Sequence, residues 1–104
     1  MPKKYRFIED PGHGWLEVPA AEIAALGITD QISAFSYAGA GNVYLEEDCD
    51  LAKFANAKGW SIQTAYKHWD HEYQVRTFVR NLPRFSPSFM AREKRLNEKG
   101  ETRC

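Results

Sequence analysis

The sequence predicts an α+β fold: a small antiparallel sheet in ββαββαβ order, two short helices on one face, and an extended basic C-terminal segment. Three observations carry this. Two stretches alternate apolar and polar residues on either side of a glycine-containing turn, the pattern of hairpins. Two alanine-rich stretches end at Gly27 and Gly59, as short helices do. A later aromatic run, "WSIQTAYKHW", offers one more strand.

The elements follow in order. "KYRFIE" (4–9) places Tyr5, Phe7 and Glu9 on one side and Arg6 and Ile8 on the other. "DPGHG" (10–14) is a turn. Pro11 presets φ at its second position, and Gly12 or Gly14 is expected to supply a positive φ. "WLEV" (15–18) returns as the partner strand. "PAAEIAALG" (19–27) reads as a helix with Pro19 in its first turn, Ile23 and Leu26 facing inward, and Gly27 as its stop. "ITDQIS" (28–33) connects onward, with room for another helical turn. "AFSYAGAGNVYLEE" (34–47) reads as a second hairpin turning at Gly39–Asn42. "DLAKFANAKG" (50–59) is a second helix with Leu51, Phe54 and either Ala55 or Ala57 inward. "WSIQTAYKHW" (60–69) supplies the fifth strand, Ile62, Thr64 and Tyr66 sharing a face.

Residues 1–72 thus make the body. Residues 73–89 mix apolar residues with spaced arginines and prolines, an extended segment held on the body by Phe78, Leu82 and Phe85. Residues 90–104 read as a solvated helix or flexible tail. At 104 residues the chain suits one domain. No run approaches the ~18 apolar residues of a membrane span, and no apolar stretch follows "MPKKYRF" as a signal peptide needs. A cytoplasmic setting is expected. It argues against a bridge between Cys49 and Cys104.

Formal net charge is zero but unevenly spread. Residues 1–74 hold six basic and eleven acidic side chains, and residues 75–104 hold eight and three. The basic end either folds back onto the acidic body or serves as an arm for a polyanion.

"YLEEDCD" (44–50) concentrates that acidity. Glu46 and Glu47 should end a strand on opposite faces, Asp48 should cap the following helix, and Asp50 should sit in its first turn near the positive end of the dipole. Four acids in alternating directions do not converge on one ion. Cys49, between acids, is a poor nucleophile because negative neighbours raise its pKa. His68 and His71 fit neither one strand face nor the i, i+4 spacing of zinc helices, and nothing in the sequence brings His13 to them. "GAGNV" lacks the Lys and Ser/Thr of a phosphate loop, and no serine stands in a nucleophile elbow. No catalytic residue, cofactor or metal is therefore expected. Trp60 and Trp69 are the aromatics placed for partial exposure, as at protein interfaces.

"DPGHGWLEVP" (10–19), "YLEEDCD" (44–50) and "RNLPRF" (80–85) together resemble a family of small uncharacterised proteins encoded by phages and mobile elements of proteobacteria. The resemblance spans most of residues 5–85 and brings no catalytic residues with it. It implies an accessory protein acting in the bacterial cytoplasm. By analogy with such proteins it implies an inhibitor of a host defence complex, anti-CRISPR-like in action.

The leading expectation is a non-enzymatic protein-binding module. Its partner is a host protein or complex, met through Glu46, Glu47, Asp48, Asp50, Trp60 and Trp69. The alternative is nucleic-acid binding by the basic segment, with Arg76, Arg80 and Arg84 on phosphates and Phe78 and Phe85 stacking on bases.

Overall fold

The computed structural model describes residues 5–61 and 63–92. It is α+β, built on a five-stranded sheet. Strands β1 (Tyr5–Glu9) and β2 (Gly14–Pro19) form the first hairpin, with Phe7 opposite Leu16. Pro19 closes β2 at φ −57°, already suited to helix α1 (Ala20–Ala25). Gly27, at φ 70°, turns the chain out of that helix. A 3-10 turn at Thr29–Gln31 fills the connection. The second hairpin pairs β3 (Tyr37–Gly39) with β4 (Asn42–Glu46). Its turn has positive φ at both Ala40 and Gly41, which matches the twist of tight hairpins. Helix α2 (Asp50–Lys58) follows, and Gly59 terminates it in the left-handed region.

The fifth strand departs from the sequence reading in place and direction. Residues 65–68 form a 3-10 turn, so Thr64 and Tyr66 share no strand face; Ile62 lies outside the described residues. Strand β5 is Trp69–Tyr73 and runs parallel to β1, with Tyr5 opposite Trp69 and Glu9 opposite Tyr73. The sheet, in order β3-β4-β2-β1-β5, is thus mixed rather than wholly antiparallel.

Alternation sorts the side chains. Phe7, Leu16, Val18, Val43 and Leu45 face α1 and α2, where Ile23 and Phe54 complete a buried cluster. Each such side chain contributes roughly 1.5–3 kcal/mol by leaving water. Ile8, Trp15 and Tyr44 lie on the other face, covered by residues 75–82. That strap contains a 3-10 turn, Phe78–Asn81. Its buried anchor is Val79, while Phe78 stays partly exposed. The strap then rounds the β3 edge. Ala38 N–H donates to the Pro83 carbonyl at 2.9 Å, Phe85 N–H donates to that of Ser36 at 2.8 Å, and Tyr37 bridges Arg84. Phe85, Phe89 and Met90 re-enter the helix-side core. Residues 87–92 are helical, so the apolar packing runs past the expected boundary at residue 90. The remainder of the expected tail, 93–104, lies outside the described residues. No helix among the described residues is long and apolar enough to cross a membrane.

Candidate functional site

Two turns meet at one end of the sheet. The first, residues 10–13, is organised by Asp10: its Oδ1 accepts from Gly12 N–H and His13 N–H, each at 2.9 Å, and its own N–H donates to the His13 carbonyl. An Asx turn therefore replaces the expected positive-φ glycine. Neither Gly12 nor Gly14 has a positive φ. Gly14 is needed for another reason: a Cβ there would lie 2.5 Å from the Phe7 ring. The second turn, residues 47–49, is tied to the first by Glu47 N–H donating to the Gly14 carbonyl at 3.0 Å. Because β2 and β4 are neighbours, with Trp15 opposite Glu46, this juxtaposes His13 and the acidic run.

Glu46 is only 7% exposed. Its Oε1 accepts from Asp48 N–H at 3.0 Å, and its Oε2 stands 3.6 Å from His13 Nδ1. One donor atom from each of His13, Glu46 and Asp48 lies within 4.8 Å of the other two. These residues border a cleft of about 350 Å³ that Trp15, Tyr37 and Arg80 also line. Cys49 lines it too. Burial, then the Glu46 carboxylate, pushes its thiol pKa up, as the neighbouring acids lead one to expect.

Other members of "YLEEDCD" do different work. Asp48 does not cap α2, whose cap position is Cys49 without a side-chain hydrogen bond. Asp50 is fully buried rather than displayed. Burial alone would raise its pKa, but hydrogen bonds from Ser36, Ser33 and Lys53 outweigh this and hold it low. Ser36 Oγ also accepts from Glu46 N–H at 3.0 Å, so the Asp50 network fixes the strand end that carries Glu46. Glu47 is half-buried. Burial first, then the nearby Asp48, Glu9 and Glu46 carboxylates, raises its pKa.

The remaining expected site residues scatter. Trp60 stacks on His68 at 4.1 Å between ring centroids, and Trp69 stacks on Phe7; both pack against the helix-side core. Trp69 opens β5 beside Tyr5, at the opposite end of the sheet from Glu9. The three histidines have separate partners: His68 on Trp60, His71 with Glu9 at 2.6 Å, His13 facing Glu46. The described part of the basic segment, residues 75–92, folds back on the body. Arg80 makes a two-pronged contact with buried Asp10, at 2.5 and 3.0 Å, and lies over the Trp15 ring. Arg84 lies over Tyr37 and donates to the Ala34 carbonyl. Phe85 is in the core, where no base can stack on it, and Phe78 packs edge-on against Tyr44 beneath Arg6. Arg76 is exposed.

Sequence reasoning missed the meeting of His13 with Glu46 and Asp48, the approach of Glu9 to Glu47, and the exposed Phe35 at the rim of the cleft. The missing signal is the adjacency of β2 and β4, which belong to different hairpins. No protein-family model, curated protein or solved structure matches this chain significantly.

Proposed function

We propose that this chain is a non-enzymatic protein-binding module whose docking face is the turn end of the sheet, and that its partner presents a Lys/Arg-rich surface. One observation carries the reading: large apolar side chains stand exposed around crowded carboxylates. Phe35 is 62% exposed and Tyr73 58%. Phe35 borders the cleft that holds Asp48, and Tyr73 is paired with Glu9. A cationic partner relieves the repulsion among Glu9, Glu47 and Asp48, and the apolar side chains supply burial. Asp50, Trp60 and Trp69 fall outside this face, and Glu46 reaches it only through the cleft. The resemblance to phage accessory proteins directs the partner toward a host defence complex, whose nucleic-acid groove is a cationic surface of this kind.

Capture from a bacterial host lysate, read by mass spectrometry, tests the proposal. A Glu47→Lys, Asp48→Lys double variant should lose the captured partner while its melting temperature stays within a few degrees of the parent. Equal capture by both proteins overturns the docking face. A gel shift with DNA or RNA that fades steeply with salt favours the nucleic-acid alternative instead.

A further inference from the structure

We propose that His13, Glu46 and Asp48 form a binding site for a divalent first-row transition ion of the zinc class. The site shares Asp48 with the docking face proposed above, but zinc titration without a partner reads the metal site alone. One imidazole and two carboxylates are a donor set for such ions, and the imidazole disfavours magnesium or calcium. The central distance supports this. At 3.6 Å, His13 Nδ1 and Glu46 Oε2 are too far apart for a hydrogen bond. Two ligands on a tetrahedral ion with bonds near 2.1 Å stand about 3.4 Å apart, close to what is observed. Asp48 offers its oxygen within the same 4.8 Å group.

The site is also held ready. Asp48 N–H occupies Glu46 Oε1 and turns Oε2 toward His13. Ser36 fixes the Glu46 backbone, and Asp50 fixes Ser36. Such outer contacts orient ligands in metal sites. A separate observation comes from Trp15, which lines the same cleft and is 1% exposed: its indole N–H is buried without a hydrogen-bond partner. A water or anion on a bound ion is an acceptor of the kind that N–H lacks. Of the two guanidinium groups on the cleft, Arg80 is paired with Asp10, whereas Arg84 donates to the neutral Ala34 carbonyl and keeps its charge, a repulsion that the two carboxylates of the site must outweigh. Cys49 is outside the three-residue group and is not assigned as a ligand.

The test is calorimetric titration of chelator-stripped, untagged protein with Zn²⁺, with Mg²⁺ as control. Binding of about one equivalent of Zn²⁺ and none of Mg²⁺ is expected. His13→Ala and Glu46→Gln should each weaken zinc binding by at least about tenfold. Glutamine retains the acceptor for Asp48 N–H, so it separates a lost ligand from a disturbed turn. Circular dichroism matching the parent's should accompany both variants. Cys49→Ser should bind zinc as the parent does. The proposal fails if no saturable zinc binding occurs, if affinity survives in both His13→Ala and Glu46→Gln, or if Cys49→Ser abolishes it.

Discussion

On the helix-covered face, Phe7, Leu16, Val18, Val43 and Leu45 meet Ile23 and Phe54 in an apolar cluster whose ionic groups, Lys58 with Glu22 and Lys53 with Asp50, lie on the helices at its edge. On the strap face, Ile8, Trp15, Tyr44 and Val79 share the space with ionic groups. There Arg6 contacts Glu17 at 3.0 Å, Tyr44 donates to the same carboxylate at 2.9 Å, and Arg80 holds Asp10. Burial, then Glu17, pushes the Tyr44 pKa up to about 12. The first face is assembled mainly by loss of apolar surface to water, with one buried carboxylate, Asp50 at the start of α2, whose depressed pKa makes it acid-sensitive as well. The second depends on groups whose charge can be switched off. The two faces thus differ in where the acid-sensitive carboxylate lies: at the rim of the helix side in Asp50, and beneath the strap in Asp10, held by Arg80.

The largest effects should come from truncating each face's buried aromatic. Phe54→Ala and Trp15→Ala should each cost about 3–5 kcal/mol in denaturant unfolding. They should differ in place. Trp15→Ala also removes the ring beneath Arg80, so amide exchange should rise first in residues 75–82. Uniform loss of protection in both variants would break the distinction between the faces.

Gly14→Ala comes next, at about 1–3 kcal/mol, because the new methyl must displace the Phe7 ring. The substitution lies in the turn region, yet its damage should appear in the helix-side core. A melting temperature equal to the parent's would show that the ring has room to move.

Asp10→Asn should cost about 1–2 kcal/mol at pH 7, the range for a charged hydrogen bond discounted for the half-exposed Arg80. The Arg80 guanidinium holds the Asp10 carboxyl well below the usual carboxylate range. A depressed folded-state pKa gives stability that is complete above the unfolded value, near 3.9, and is lost as pH falls through the folded value. The gap between parent and Asp10→Asn should therefore narrow from pH 7 to pH 3. A gap independent of pH would assign the cost to packing rather than charge.

Elements governed by local chemistry were legible in the sequence. Pro19, Gly27 and Gly59 bounded the helices because their backbone preferences act within a few residues. The alternation of Phe7 and Ile8 gave β1 its two faces. β5 was misplaced because Ile62, Thr64 and Tyr66 imitate a half-buried strand. Trp69–Tyr73 carries Asp70, His71 and Glu72, and becomes a strand only by adding to the β1 edge. Asp10 looked like an ordinary turn residue, since its partner Arg80 is seventy positions away. Asp50 had the right address for a helix start, but the serines that bury it lie in a loop with no periodicity. The His13–Glu46–Asp48 group was invisible for the same reason. Spacing along a chain does not show which hairpins lie side by side.

The parallel pairing of β1 with β5 has a consequence for synthesis. β1 is made first, yet its outer edge is satisfied only when residues 69–73 arrive, and the strap that covers Trp15 comes later still. On the ribosome, the two hairpins and both helices can assemble while that edge is open, with its N–H and C=O groups free to pair with another strand. Contacts between such distant residues are slow to form. A nascent chain stalled before Trp69, or a product cleaved there, would carry the helix-side core without Trp69, Phe85, Phe89 and Met90 and present β1 as a template for aggregation.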